Sequence, residues 1–178
     1  MSKREQLQQI IQEKAIFKDN FVLTSGQTST FLFDLKPIML ESISINLIAD
    51  LILEKIQNES IDAIGGLELG AIPLSVAVSL KSLDTNPISS FFIRKNIKGH
   101  SSNKLIEGNL NLTMNIMIIE DVANTGGSIL KAANTLRENG INIFKAITIV
   151  DRLAGATELL SKNNIDLLTI FNINDFNY

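Results

Sequence analysis

The stretch NIMIIEDVANTGGS, residues Asn115 to Ser128, decides the fold. Its apolar run over 116–119 ends at two acids, Glu120 and Asp121, and a loop of small or hydroxylated residues over 124–128 leads into a helical pattern. The order predicts a buried strand with an acidic pair at its carboxyl end, then a helix N-terminus whose free backbone N–H groups can bind a phosphate. The acids can accept hydrogen bonds from ribose hydroxyls, so a ribose 5-phosphate site is the simplest interpretation.

Composition narrows the class of protein. The chain has 178 residues, 45% hydrophobic and 20% charged, which is typical of one soluble globular domain. A net charge of −3 gives no general attraction to nucleic acid or to anionic membranes. The absence of cysteine excludes disulfides and a cysteine nucleophile, and a single histidine, His100, excludes a multi-histidine metal site. With no apolar signal core at the N-terminus, we expect a cytoplasmic protein without nucleic-acid or membrane partners.

Helical and strand patterns alternate after a short N-terminal region. Helices are predicted over 3–16, 42–57, 71–80, 129–138 and 154–160, and strands over 21–23, 30–34, 63–65, 88–93, 116–119, 143–150 and 167–171. Strands that are apolar on both faces predict a mainly parallel sheet with helices on both sides. We therefore expect one α/β domain over 1–178 with a small cap over about 1–40. Its ligand would lie beyond the carboxyl ends of the strands.

A basic segment follows the strand over 88–93. Residues 94–104 contain four Lys or Arg residues and His100, with no acid before Glu107. Its glycine and serine content makes it a poor core former, which favours a mobile lid over an anion. A solvated surface loop is the alternative interpretation.

Two further strand ends carry candidate residues. The loop over 65–71 has the glycine spacing of a nucleotide-binding P-loop but lacks its Lys-Ser/Thr, so it predicts a phosphate-contacting loop or a packing turn. Arg152 ends another strand and can bind a carboxylate with two parallel hydrogen bonds, or form a surface ion pair. Phe31 and Phe33 alternate in the predicted N-terminal hairpin and suit its core.

These motifs resemble a known family. Residues 115–128 resemble the phosphoribosyl pyrophosphate (PRPP) motif of type I phosphoribosyltransferases. The pattern Arg-Lys-x-x-Lys-x-His over 94–100, followed by Lys-Leu-Ile-Glu-Gly over 104–108, resembles the catalytic loop of orotate phosphoribosyltransferases. The resemblance runs from about residue 21 to residue 171. It implies the type I phosphoribosyltransferase fold with an N-terminal hood, and transfer of the 5-phosphoribosyl group from PRPP to orotate in pyrimidine biosynthesis. It also implies Mg²⁺ held through PRPP and a homodimer.

The resemblance also assigns roles to residues. It implies catalytic roles for Lys98, Glu120 and Asp121, with the two acids orienting the ribose hydroxyls. It implies action of Lys95 in the neighbouring subunit's site. The PRPP site would comprise Arg94, Lys95, Lys98, His100, Glu120, Asp121, Val122, Ala123, Asn124, Thr125, Gly126, Gly127 and Ser128. The orotate site would comprise Asn124, Arg152 and Phe33. In place of a core position, the resemblance implies that Phe33, and with it Leu32, forms a wall against the base.

The chain departs from the family pattern at two positions. Thr24 stands where many members carry lysine, and Lys36 is a candidate substitute. Asn124 stands where the family has a hydroxyl residue that contacts the pyrimidine. Two alternative functions therefore stay open: transfer to a purine or other base, and a PRPP-binding regulator without catalytic activity. The first would turn over hypoxanthine, guanine or xanthine, and the second would bind PRPP without releasing pyrophosphate.

Overall fold

The computed structural model describes residues 1–22, 28–96 and 104–178, with the backbone alone at 18–22 and 28–30. Its main helices are α1 (Lys3–Lys14), α2 (Lys36–Met39), α3 (Ser42–Ile56), α4 (Ala71–Ser82), α5 (Gly127–Glu138) and α6 (Ala156–Ser161). Its strands are β1 (Ile16–Val22), β2 (Thr28–Phe33), β3 (Ala63–Leu67), β4 (Ser89–Ile93), β5 (Ile106–Glu107), β6 (Ile116–Ala123), β7 (Lys145–Asp151) and β8 (Asp166–Asn172). A short 3₁₀ turn, Ile173–Asp175, follows β8. Within the described ranges, no helix is long and apolar enough to span a membrane.

A six-stranded sheet in the order β5-β4-β3-β6-β7-β8 forms the centre of the domain. All its neighbouring strands are parallel except the short pair β4–β5, and β1 with β2 forms a separate antiparallel hairpin. Alternate residues of β6 belong to different hydrophobic clusters: Met117 and Ile119 pack with α1, α3 and α4, whereas Ile116 and Ile118 pack with α5 and α6. Because successive side chains point to opposite faces, this split shows a core on each side of the sheet. The α/β fold with a mainly parallel sheet is confirmed.

Strand β6 is longer than the sequence pattern predicted. It continues through Glu120 and Asp121 to Ala123, because β7 offers a pairing partner as far as Asp151. Its pairing with β3 stops earlier, at Gly65 opposite Ile118. The acids thus lie within a strand that extends past its neighbour, and one side of that extension faces the carboxyl edge of the sheet.

The N-terminal region also differs from the prediction. Helix α1 ends at Lys14, and β1 begins at Ile16, which pairs with Phe33. The predicted strand over 21–23 was therefore too short, because cross-strand pairing with β2 extends it. Helix α2 and strand β5 were not predicted, since elements of two to four residues are too short to show a periodic pattern.

Candidate active site

A cleft of about 230 Å³ lies at the carboxyl edge of the sheet. The ends of β3, β4 and β6 meet there with the start of α5, as the strand order predicted. The residues around it are Lys36, Leu67, Glu68, Leu69, Gly70, Lys95, Glu120, Asp121 and Ser128. A larger cavity of about 490 Å³ lies at the opposite edge, near the beginnings of β6 and β7, and does not include the acidic pair.

The two carboxylates lie against the loop that follows β3. A Cβ atom added to Gly70 would stand 2.9 Å from Asp121 Oδ1 and 3.0 Å from Glu120 Oε1. An added methyl group would force one or both carboxylates to move from these positions. This close approach identifies the loop over 68–70 as one wall of the acidic site, a role for Gly70 that the sequence pattern alone did not reveal.

Burial of the acidic pair favours a proton on Glu120. Burial raises the pKa of Glu120 to about 9, and the adjacent charge of Asp121 acts in the same direction. Asp121 Oδ1 accepts a hydrogen bond of 2.8 Å from the backbone N–H of Val122. One carboxyl can thus donate a hydrogen bond while the other accepts, which suits the two adjacent hydroxyls of a ribose.

We expect this proton to make stability depend on pH. The pKa of Glu120 in the folded protein lies above its ordinary value of 4.5, so the folded protein binds this proton more tightly than the unfolded chain does. The resulting stabilisation is complete below about pH 4.5 and is lost as the pH rises towards 9. The free energy of unfolding in urea should fall between pH 6 and pH 9, by at most about 1.4 kcal/mol per pH unit for one proton. Glu120→Gln, neutral throughout, should show a shallower fall. Identical slopes in the two proteins would contradict the assignment.

The loop over 124–128 has the form of a phosphate site. Gly126 adopts a φ of 82°, and an added Cβ would approach Ala156 Cα at 3.2 Å, so glycine is required both by conformation and by space. Gly126 caps α5 without a side-chain hydrogen bond from the described residues. The first-turn N–H groups of a 12-residue helix therefore point towards the exposed surface at Thr125, Gly127 and Ser128.

Val122 and Ala123 belong to β6 rather than to this loop. Ala123 is buried in the core, and the backbone carbonyl of Ala123 accepts a hydrogen bond of 2.9 Å from Arg152 N. Of the predicted PRPP residues, these two can therefore contribute through their backbone, whereas Thr125 and Ser128, both exposed, can also contribute side chains.

Two lysines, Lys36 and Lys95, line the cleft together with the acids. Lys36 Nζ pairs with Asp34 Oδ1 at 2.8 Å, and this hydrogen bond raises the pKa of Lys36, with Asp121 and Glu120 adding to the effect. The backbone N–H of Lys95 donates to Glu68 Oε1 at 2.9 Å, which ties the end of β4 to the loop after β3. Lys36 is a site residue that the motifs indicated only as a possible substitute for the lysine absent at position 24.

Arg94 lies at the base of the predicted lid. Its Nε pairs with Glu107 Oε1 at 2.8 Å, and its backbone N–H donates to Leu105 O at 2.8 Å. These contacts join the two sides of the basic segment where it leaves the sheet. Lys98, His100 and Thr24 lie outside the described residues.

The predicted orotate residues separate into two groups. Arg152 follows β7, and its guanidinium carbon lies 4.9 Å from the centre of the Phe31 ring. Phe33, on the same face of β2, is only 6% exposed and packs against Phe176 in the core. The structure thus places Phe31, rather than Phe33, beside Arg152, and the aromatic wall at Phe33 stays a prediction. Two residues apart in one strand, the two rings share a face of β2.

Comparison with known proteins agrees with this geometry. Residues 39–177 match the phosphoribosyl transferase domain family. Orotate phosphoribosyltransferases from Rhodopseudomonas palustris strain BisB5 and from Methanosphaera stadtmanae are each 38% identical to this chain; the alignments cover 97% of it and 95% and 96% of those proteins. A crystal structure of Mycobacterium tuberculosis orotate phosphoribosyltransferase with PRPP superposes with a TM-score of 0.82 at 26% identity, covering 98% of each chain.

The chain therefore belongs to the phosphoribosyltransferase family, in which a parallel sheet presents its ligand loops at one edge. Within that family it belongs to the orotate phosphoribosyltransferases, with which it aligns over nearly its whole length. The family, the fold and the enzyme class expected from the two sequence motifs are confirmed.

Proposed function

We propose that the cleft between Gly70 and the acidic pair carries the reaction of this group: PRPP and orotate give orotidine 5′-monophosphate and pyrophosphate. The convergence of the acids, the phosphate loop and the loop over 68–70 at one sheet edge supports this assignment. The loop over 124–128 seats the 5′-phosphate at the start of α5. Glu120 and Asp121 then bind the ribose hydroxyls.

Catalysis follows from charge placement. Breaking the bond between the ribose C1 and the diphosphate gives the sugar a positive charge, which the neighbouring Asp121 carboxylate stabilises. The departing pyrophosphate is stabilised by cations, among them Lys36 at the cleft and, from the sequence motif, Arg94, Lys98 and His100. Closure of the basic segment over the site would exclude water that hydrolyses the activated sugar. The orotate ring nitrogen is acidic enough to attack without a strong protein base.

Mg²⁺ is proposed to enter on the diphosphate of PRPP. Among the described residues, no three acids or histidines are gathered to bind a metal, so the ion would be held through the diphosphate while Glu120 and Asp121 bind the ribose hydroxyls. When bound, the ion neutralises charge on the leaving group. The protein's own part is to hold the ribose and the phosphate ends in place.

Orotate is proposed to bind beside Arg152. Its planar guanidinium can hold the orotate carboxylate through two hydrogen bonds, and burial lowers the pKa of Arg152 without removing its charge. Phe31 offers an aromatic face next to this cation, and Asn124 can donate and accept hydrogen bonds to the pyrimidine. Phe31 lies within β2, whereas Asn124 and Arg152 directly follow β6 and β7.

The reaction is tested by the absorbance change on orotate consumption with PRPP and Mg²⁺, beside hypoxanthine, guanine and xanthine. We expect turnover of orotate alone, and its loss on chelation of the metal. Turnover of a purine instead would support the other-base transferase. PRPP binding without pyrophosphate release would support a regulator.

A homodimer with Lys95 acting in the partner's site is also proposed, as is a cytoplasmic location. An apolar stripe on α4 supports the dimer: Val76, Leu80 and Leu83 recur on one side of the helix and are 45%, 72% and 67% exposed. Such a stripe is suited to burial against a second copy of the chain. Lys95 is exposed at the rim of the cleft.

Subunit mixing tests the role of Lys95. Lys95→Ala and Asp121→Asn should each be nearly inactive. Unfolded together and refolded in equal amounts, they should regain about a quarter of wild-type activity, since half the dimers are mixed and one of their two sites has every residue. No recovery of activity after mixing, with dimers present by light scattering, would show that Lys95 acts within its own subunit.

A further inference from the structure

Tyr178 lies beside the proposed orotate site. Its ring centre is 4.3 Å from that of Phe31, with 36° between the planes, and Phe31 in turn contacts the Arg152 guanidinium. Tyr178 is 51% exposed, so burial in the core does not account for its position. The three side chains form a connected set that joins the last residues of the chain to the end of β7.

The segment before Tyr178 is fixed on α1. Gln12 Nε2 donates to Asn177 O and Gln12 Oε1 accepts from Asn177 N, both at 2.8 Å, in the reciprocal manner of a strand pair. Gln8 Nε2 donates to Asp175 O at 2.6 Å. Between these contacts, Phe176 is 6% exposed and packs against Phe33 and Phe171. The backbone on either side of Phe176 is thus held firmly, and it delivers the Tyr178 ring to Phe31.

From these contacts we propose that Tyr178 is a positioning residue for the pyrimidine substrate. Its ring holds Phe31 against Arg152, so that the cation and the aromatic ring together form a site for a substrate ring that bears a carboxylate. The proposal rests on the proposed function and deepens it. A tilted aromatic pair at this separation is worth a few-fold to about tenfold in an equilibrium constant beyond its buried area. Loss of the ring should therefore affect binding of the base, at the far end of the site from the phosphate loop.

Kinetics of Tyr178→Ala test the proposal. We expect KM for orotate to rise about three- to tenfold, with KM for PRPP and the melting temperature nearly unchanged. Tyr178→Phe keeps the ring and should retain the wild-type KM. Gln12→Ala, remote from any substrate, should raise KM for orotate in the same direction by releasing Asn177. Gln9→Ala is the matched control, because Gln9 lies on the same helix and bonds only to Glu13 among the described residues.

Tyrosine fluorescence gives a second readout, since the chain contains one tyrosine and no tryptophan. Orotidine 5′-monophosphate should change the emission of Tyr178, corrected for its absorbance, whereas inorganic phosphate should not. An unchanged KM for orotate in Tyr178→Ala, or equal rises for both substrates, would overturn the positioning role. A wild-type protein that turns over no orotate would instead overturn the proposed function, and this inference with it.

Discussion

Asp121→Asn is expected to lower kcat/KM for PRPP by on the order of 10²–10³, comparable with the loss of one preorganised electrostatic group. The substitution preserves the shape of the side chain and an oxygen for the bond from Val122 N. It removes the negative charge that accepts from a ribose hydroxyl and faces the developing cation at C1. The fold should survive, because Thr148 Oγ1 bonds to the backbone carbonyl of Asp121 rather than to its side chain.

The measurement is steady-state kinetics with PRPP varied at saturating orotate, together with thermal unfolding. Asp62→Asn is a matched control, since Asp62 Oδ2 accepts a bond of 2.7 Å from Asn115 N at the opposite edge of the sheet. That control should keep wild-type kinetics. Unfolding of Asp121→Asn under assay conditions would identify Asp121 as a structural residue, and unchanged kinetics would remove it from the mechanism.

Gly70→Ala is expected to lower kcat/KM about 10²-fold while leaving the melting temperature close to that of the wild type. The new Cβ would stand at 2.9 Å from Asp121 Oδ1 and 3.0 Å from Glu120 Oε1, and these side-chain ends can move aside without disturbing the backbone. The melting temperature should therefore change little, whereas the carboxylates are displaced from the positions in which they would bind the ribose. A misplacement of about 1 Å is enough for a loss of this size.

Gly65→Ala provides the contrast. Its Cβ would meet the backbone oxygen of Phe91 at 2.1 Å, inside the sheet, where the clash falls on the backbone of β4. We expect that variant to lose stability, and to lose activity only as a consequence. If Gly70→Ala instead unfolds like Gly65→Ala, the loop over 68–70 is held more rigidly than this explanation requires.

The losses of kcat/KM expected for Asp121→Asn and Gly70→Ala should not be additive in the double variant. Asp121→Asn already removes one of the groups that Gly70→Ala displaces, so the second substitution should cost less in the Asp121→Asn background than in the wild type. Full additivity of the two losses would show that Gly70 acts through something other than the acidic pair, such as contact of its loop with the diphosphate.

The sequence by itself determined the strand, the acidic pair and the phosphate loop over 115–128. These features are local: an apolar run, two acids and a glycine-rich turn within fourteen residues predict a buried strand, an acidic end and a helix start. Pairing with β7, a distant segment, then extended the strand through the acids to Ala123. The basic pattern beginning at Arg94 identified the enzyme group in the same way, by residue spacing within one segment. The alternation of helices and strands then fixed the parallel sheet and the edge where the ligand loops meet.

Only the tertiary structure decided which distant side chains share the site. The contact of Phe31 with Arg152 and the burial of Phe33 against Phe176 both involve the segment that leads to Tyr178, almost 150 positions further along the chain. The close approach of Gly70 to the acids and the raised pKa of Glu120 arise where β6 extends past its pairing with β3 and meets the loop over 68–70. Such contacts follow from how separate elements pack and exclude water, and local sequence patterns carry no record of them.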